Sequence, residues 1–311
     1  MAIETSEERW PALPYEAWGD TCATLHMWTQ VVGKVRLALA PMENHWWQVP
    51  LYVDQRGLTT SPIPYGERTF QIDFDFVSHD LLVHCDGGAT RTLPLAPRTV
   101  ADFYAEVMEA LRSLDIDVRI WTTPVEVADP IPFERDTIHR SYDREYAHRF
   151  WRALVQADRV LKAFRARYLG KCSPVHFFWG SFDLAVTRFS GRPAPPHPGT
   201  PGVPDVITRE AYSHEVSSAG FWPGNAQFPT PIFYAYAYPE PDGFRAAGVA
   251  PDEAFYSSDF GEYMLKYEDV RTAARPDAAV LEFLQTTYEA AADLARWERP
   301  ALERVPGPIV R

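Results

Sequence analysis

The chain has 311 residues, of which 46% are hydrophobic and 23% charged, and its formal net charge at pH 7 is −12. This length and composition predict a packed core in one large domain or two ordinary ones. The negative balance repels phosphate backbones and anionic lipid, and the apolar runs are shorter than the roughly 18 residues of a membrane-spanning helix. We therefore expect no nucleic-acid partner and no membrane partner.

The cysteine content points to a reducing compartment. Cys22, Cys85 and Cys172 are odd in number and far apart, so they give neither a disulfide framework nor a zinc knuckle. The first ten residues are acidic and lack the basic-then-apolar order of a signal peptide. These features predict a cytoplasmic protein.

A long amphipathic helix is predicted from about residue 16 to residue 39, where Pro41 stops it. On one face His26, Gln30 and Lys34 follow each other at intervals of four and form a polar stripe. Such a stripe is typical of a solvated helix face, and the alternative is that it points into a cleft.

Strict alternation marks the run FQIDFDF, residues 70–76, as a half-buried strand. Its parity predicts that Phe74 and Phe76 are buried and that Asp73 and Asp75 lie on the opposite face. An Asp-Gly-Gly turn at residues 86–88 then indicates a hairpin.

Capping residues define two further helices. Thr99 is placed to cap a helix, and Asp143 is placed to cap the longest one in the second half. The order of helix, strands, Pro-rich loop, strands and helix then occurs twice. We interpret the chain as an α+β fold in which two diverged copies of a helix–antiparallel-sheet–helix unit, residues 1–130 and 131–311, pack together as a single compact unit, with the candidate site in the second copy.

The candidate functional stretch runs from residue 174 to residue 224, where polar groups alternate with aromatic residues, Gly and Pro. The residues selected as catalytic candidates are His176, Asp183, Arg192, His214 and Glu215. Two imidazoles and a carboxylate, from His176, His214 and Glu215, form the usual ligand set of a mononuclear divalent metal such as iron or zinc. Without a metal, His214 and Glu215 are an acid/base pair and Arg192 is an anion clamp.

Two local conformations are needed to bring these groups together. His176 and Asp183 are seven residues apart and face opposite sides of a regular strand, so a β-bulge at Gly180 would have to rotate Asp183. His214 and Glu215 are neighbours, and the Ser/Gly-rich run after them predicts a loop in which both side chains converge.

Several long runs resemble one widespread bacterial family of unknown function. They are NHWWQVPLYV, RGLTTSPIPYG, DFDF, PVHFFWGSFDLAVTRFSGRPAPPHPG and SHEVSSAGFWPG. The similarity extends from Trp10 to about Arg299. It implies a bacterial, cytoplasmic, single-unit protein and supplies neither an activity nor a cofactor nor a catalytic residue.

Three classes of function are compatible with these patterns. The leading hypothesis is an enzyme that acts on a small molecule through a His/carboxylate site, with or without a metal, closed by the helix face of His26, Gln30 and Lys34. The alternative is a non-catalytic small-ligand binding protein with an aromatic-lined cleft. The third is an interaction module without a pocket.

Overall fold

Two antiparallel sheets of six strands each form the framework of the computed structural model, which describes residues 9–200 and 202–304. The first sheet has the order β1-β2-β4-β5-β6, and β3 pairs with β4 on the same edge as β2. Its strands are β1 Tyr52–Val53, β2 Gly57–Thr59, β3 Ile63–Tyr65, β4 Arg68–Asp75, β5 Asp80–Cys85 and β6 Thr90–Pro94.

The second sheet has the order β11-β12-β10-β9-β8-β7. Its strands are β7 His176–Phe178, β8 Asp183–Pro193, β9 His214–Trp222, β10 Ile232–Tyr238, β11 Phe255–Ser257 and β12 Glu262–Lys266. The sheets meet edge to edge, because the backbones of Leu51 and Phe177 exchange hydrogen bonds of 2.9 and 2.8 Å.

Seven α-helices complete the described part of the chain. They are α1 Tyr15–Leu39, α2 Val100–Arg112, α3 Arg144–Arg165, α4 Asp205–Ala211, α5 Tyr267–Thr272, α6 Pro276–Leu294 and α7 Arg299–Leu302. Helix α3 contacts β1 of the first sheet and both β8 and β9 of the second, so it crosses the junction between them. None of the described helices is both long and apolar enough to span a membrane.

The predicted caps are present. The Thr99 side chain accepts a hydrogen bond from the backbone N–H of Asp102, and the Asp143 side chain accepts one from the N–H of Tyr146. Each cap satisfies one of the backbone donors that the first helical turn leaves without a partner. The sequence therefore locates the starts of α2 and α3.

The parity predicted for residues 70–76 is confirmed for Phe74, in β4, and for Phe76, directly after it, since both are buried in the core. Asp73 lies on the opposite face, as predicted. Asp75, where β4 ends, is also buried; its carboxylate accepts a hydrogen bond from Arg56 and one from the N–H of Val77. These donors offset the cost of burying the Asp75 charge.

The α+β class is confirmed, whereas the internal duplication is not. Four neighbouring strands of each sheet run as a meander, but the two sheets end differently. In the first sheet the meander is β3-β4-β5-β6, and β2 and then β1 lie beside β4. In the second sheet the meander is β7-β8-β9-β10, β12 lies beside β10 and β11 is the outer strand. The strand orders of the two halves therefore differ.

Candidate functional site

A cavity of about 560 Å³ lies on the face of the second sheet that is opposite helices α3 and α6. Pockets that hold small organic ligands have volumes of this size. Its walls are mostly apolar and come from the end of α1, the segments 45–49 and 119–126, the second sheet and helix α4. The aromatic wall residues are Trp46, Trp47, Trp121, Phe178, Trp179, Phe189, Tyr212, Tyr234 and Tyr236.

Strand β8 forms the floor of this cavity through alternate residues. Asp183, Ala185, Thr187 and Phe189 all line the cavity, whereas Arg188 points to the helices, with its guanidinium carbon 3.4 Å from the ring centroid of Phe164. A period of two residues requires this division, because successive side chains of a strand lie on opposite faces.

The carboxylate of Asp183 accepts a hydrogen bond from the hydroxyl of Tyr234, which lies on β10. The strand between them, β9, contributes Gly220 directly beside Tyr234. A Cβ atom on Gly220 would lie 2.5 Å from the Tyr234 hydroxyl oxygen. Glycine at this position therefore lets the phenol lie across β9 and reach Asp183.

Two hydroxyl pairs extend the polar part of the cavity. The hydroxyl oxygens of Tyr212 and Tyr236 are 2.7 Å apart, and those of Thr187 and Ser218 are 2.9 Å apart. All four residues line the cavity. Thr187, Ser218 and Tyr236 lie on the neighbouring strands β8, β9 and β10, Tyr212 follows α4, and most of the remaining wall is apolar.

Glu126 brings a second carboxyl group to the cavity. Its carboxylate accepts a hydrogen bond of 2.6 Å from the hydroxyl of Ser181, and a Cβ on Gly180 would lie 2.2 Å from the other carboxylate oxygen. Glu126 has a φ of 57°, which is a strained backbone conformation for a residue other than glycine. Much of its surface remains accessible, and its side chain lines the cavity.

Burial shifts the titration of these carboxyl groups. Desolvation, with a smaller contribution from the nearby Glu126 charge, raises the pKa of Asp183 to about 7 despite the opposing hydrogen bond from Tyr234. Desolvation likewise raises the pKa of Glu126. Glu262, on the same sheet face as Tyr234, has a pKa raised to about 8 by desolvation and by the charge of Asp183.

The polar stripe on α1 holds the segment that carries Glu126. The Gln30 amide donates to the carbonyl of Val125 at 2.8 Å and accepts from its N–H at 2.9 Å. His26 Nε2 lies 2.7 Å from the carbonyl oxygen of Gly180, and the Lys34 ammonium donates to the carbonyl of Thr123. The interpretation of this stripe as a solvated face is wrong, because its side chains bond to buried backbone beside the cavity.

At the other end of the cavity, His45 connects α4 to the body of the protein. Its Nδ1 lies 3.1 Å from the carbonyl oxygens of both Glu210 and Ala211, and its Nε2 lies 2.6 Å from the Lys171 ammonium. Nδ1 therefore donates while Nε2 accepts, which requires a neutral imidazole. Burial and the Lys171 charge both lower the pKa of His45, which favours the same neutral form.

Of the residues selected from the sequence, Asp183 lines the cavity and His176 lies beside it. The two share one sheet face because β7 and β8 form a hairpin that pairs His176 with Ala185. The predicted bulge at Gly180 is wrong, since Gly180 lies in the turn between these strands. His176 is buried among aromatic rings, including those of Trp47 and Tyr52, and burial lowers its pKa to about 3.

His214 and Glu215 do not converge, and the predicted loop is wrong because both residues belong to strand β9. His214 lies on the cavity face of β9, with its ring centroid 5.9 Å from that of His45. Glu215 lies on the helix face and forms an ion pair of 2.6 Å with Arg192, which also donates to the carbonyl of Ala295. Arg192 therefore fastens β8 to the end of α6.

The donor set considered for a metal is not assembled by this arrangement. Glu215 is on the far side of the sheet from His176 and His214, and the described residues contain no group of three or more His, Cys, Asp or Glu side chains that could hold a metal ion. Carboxyl and phenol groups dominate the polar part of the cavity instead.

Sequence reasoning missed Glu126, Tyr234 and Tyr236. A signal for the tyrosines is present in the run IFYAYAY, where Tyr234, Tyr236 and Tyr238 alternate with smaller residues, so that one face of the strand carries three hydroxyl groups. No comparable local signal marks Glu126, because its position depends on contacts with α1 and with the turn at Gly180.

Comparison with known proteins identifies the family of this chain. No curated protein and no solved structure matches the chain. The model of a family of unknown function, DUF5996, matches residues 10–304, which covers both sheets and the whole cavity. The chain therefore belongs to the DUF5996 family of unknown function.

Proposed function

We propose that the protein is an enzyme that binds a small organic molecule in the cavity and acts on it by proton transfer through Asp183. The observation that supports this proposal is a carboxyl group that is 7% exposed, bonded to a phenol and placed on the floor of a ligand-sized cavity. Polar groups of this kind, set among apolar walls, are typical of small-molecule sites.

The titration of the pair suits this role. With a pKa of about 7, the Asp183 carboxyl is present in both protonation states near neutral pH, so it can accept or release a proton. Burial raises the pKa of Tyr234 well above its usual range, and the phenol therefore remains protonated and continues to donate to Asp183. Tyr234 holds the carboxylate in place during such a transfer.

Non-catalytic binding of a small ligand is the second candidate. It is favoured by the aromatic character of the walls: Trp46, Trp47 and Trp179 present large apolar surfaces that bind a ligand without any reacting group. The same cavity serves both candidates, so turnover is the property that distinguishes them.

Binding is tested with 1-aminoanthracene, a neutral fluorescent probe that fits a cavity of this size. Its fluorescence should increase with the wild-type protein and much less with Ala185→Phe, which places a phenyl ring on the cavity floor. Ala211→Leu, which enlarges a residue of the α4 wall, is a second blocking variant in case Ala185→Phe does not fold. Equal probe binding by wild-type and folded blocking variants would contradict the proposal.

Catalysis is tested by screening small molecules that displace the probe for chemical conversion. The pH profile of kcat/KM for a converted compound should inflect near pH 7, and Asp183→Asn should bind that compound and lose turnover. Binding without conversion of any displacing compound would favour the second candidate. Undiminished turnover in Asp183→Asn would remove Asp183 from the mechanism.

A further inference from the structure

Two carboxyl groups that line the cavity, those of Asp183 and Glu126, lack a cationic partner, and so does Glu262 on the same face of the sheet. Among residues 9–200 and 202–304, the side chains of Asp183, Glu126 and Glu262 form no ion pair with a basic residue, although ion pairs are frequent elsewhere in the chain. Asp183 and Glu126 interact with one another, as do Asp183 and Glu262. Asp183 is buried, and a buried carboxylate is normally paired with a basic group.

The two basic residues that line the cavity are engaged differently. The Lys34 ammonium donates to the carbonyl of Thr123 and lies 4.6 Å from the ring centroid of Trp121. Arg119 is exposed. Neither is within 4.0 Å of the carboxylates of Asp183 or Glu126 in the described structure. The negative end of the cavity therefore has no internal neutralising charge.

Aromatic rings surround this negative end. Tyr212, Tyr234 and Tyr236 lie on the cavity wall, and the rings of Tyr234 and Tyr236 are stacked with their centroids 6.1 Å apart. The faces of aromatic rings attract organic cations, and the attraction strengthens where water is excluded. An anionic ligand would place a further like charge beside the carboxylates, which costs free energy.

We propose that the cavity takes a small organic cation, an amine or a quaternary ammonium compound, with its positive charge at the end formed by Asp183 and Glu126 and its apolar part against the tryptophan walls. This inference rests on the proposed function, because it names the class of molecule that the same cavity binds. The ligand supplies the positive charge that Asp183 and Glu126 lack.

The raised pKa values of Asp183 and Glu262 agree with this assignment, since a neighbouring cation would lower them. Binding a cation should therefore release protons and should strengthen as the pH rises through about 7. A neutral ligand of the same shape should show a much smaller dependence on pH.

Three compounds with the same indole ring test the charge preference: tryptamine is a cation, tryptophol is neutral and indole-3-acetate is an anion. Each is titrated against the complex of the protein with 1-aminoanthracene at pH 8, where Asp183 is ionised. Tryptamine should displace the probe at a concentration about tenfold lower than tryptophol, and indole-3-acetate should be the weakest.

Amide variants assign the preference to particular carboxyl groups. Asp183→Asn and Glu126→Gln should each reduce the preference for tryptamine over tryptophol severalfold while leaving the affinity for tryptophol nearly unchanged. Glu253→Gln, which alters an exposed carboxyl away from the cavity wall, is the matched control and should keep the full preference. Retained tryptophol binding also shows that each variant has folded.

The outcomes separate the two proposals. If the probe binds in the cavity and tryptamine displaces it no better than tryptophol, the cation assignment is wrong and the proposed function remains. A preference for tryptamine that survives in both amide variants would also overturn it. If the probe does not bind in the cavity at all, the proposed function fails first and the cation assignment fails with it.

Discussion

The Tyr234 hydroxyl donates its hydrogen bond to the carboxylate of Asp183, a residue 51 positions earlier in the chain and two strands away in the sheet. This bond stabilises the ionised carboxylate, whereas burial of the same group stabilises its protonated form. Burial is the larger effect, because the net shift raises the pKa of Asp183. The pair is therefore a donor and an acceptor held together in a setting where the acceptor titrates near neutrality.

Replacing Asp183 by Asn should change the pH dependence of stability. In the wild type, the unfolded chain loses this proton near pH 3.8 and the folded chain near pH 7, so the folded state binds more protons between these values and wild-type stability falls as the pH rises. The Asp183→Asn variant has no titrating carboxyl group at this position and does not lose stability in this way. The difference between its free energy of unfolding and that of the wild type, measured by urea denaturation, should therefore increase by about 4 kcal/mol from pH 4 to pH 8. Glu253→Gln should show no comparable gain, and a constant difference for Asp183→Asn would contradict the shift.

Replacing His176 by Leu should stabilise the protein. Both ring nitrogens of His176 are buried without a hydrogen-bond partner, a condition that costs about 1–3 kcal/mol. The gain should be larger at pH 5 than at pH 8. Since the pKa of His176 is about 3 when folded and that of unfolded histidine is 6.5, wild-type stability falls as the pH drops below 6.5. Thermal unfolding at both pH values measures this difference in stability.

His214→Leu is the control for this prediction, because His214 is half-buried and bonded to Ser213. A loss of stability in His176→Leu would show that the His176 imidazole has a hydrogen-bond partner.

Replacing Gly33 by Ala should damage the cavity wall. A Cβ on Gly33 would lie 2.2 Å from the indole ring of Trp179, whose Nε1 donates to the carbonyl of Val49. Overpacking of this kind costs about 1–3 kcal/mol, which exceeds the gain of about 1 kcal/mol that alanine gives in a helix. Chemical denaturation should show lower stability, and binding of 1-aminoanthracene should weaken. Gly19→Ala in the same helix meets only the end of the Tyr15 ring and should be neutral or stabilising; equal effects at the two glycines would contradict the prediction.

Adjacent substitutions in β8 should separate stability from binding. Arg188 is 1% exposed and its Nε has no partner, so Arg188→Met should be neutral or stabilising by about 1–3 kcal/mol, whereas Arg188→Ala should destabilise because it leaves a void. Neither should alter the affinity for 1-aminoanthracene. Thr187→Val faces the cavity, where it removes the bond to Ser218, and should change probe affinity more than stability. If Arg188→Met altered probe affinity and Thr187→Val altered only stability, the two side chains would lie on the faces of β8 opposite to those described above.

Local patterns were sufficient for the features that depend on neighbouring residues in the chain. The caps at Thr99 and Asp143 and the burial of Phe74 follow from short-range hydrogen bonding and from strand periodicity, and all three are present. The helical periodicity also predicts the polar stripe of α1, but it does not predict what that stripe contacts. Whether a polar face meets solvent or backbone depends on what packs against it, and here that is a segment some 95 residues away.

The candidate site was only partly predictable for the same reason. The sequence suggests Asp183 because it lies near His176 in the chain, but the groups that determine its chemistry come from distant segments, Tyr234 on β10 and Glu126 before α3. The placement of His214 and Glu215 in a loop failed because the Ser/Gly-rich run after them is a buried strand. Small residues are needed there since the Tyr234 ring lies across Gly220.

The alternation of β8 has a consequence for how this family can diversify. Residues 183, 185, 187 and 189 contact the cavity, while Leu184, Val186 and Arg188 pack under the helices. Substitutions at residues 185, 187 and 189 can therefore alter which molecule the proposed site accepts without repacking the core. We expect ligand preference among family members to vary at those three positions independently of the even-numbered ones, so that one inherited scaffold can acquire new specificities through very few codon changes.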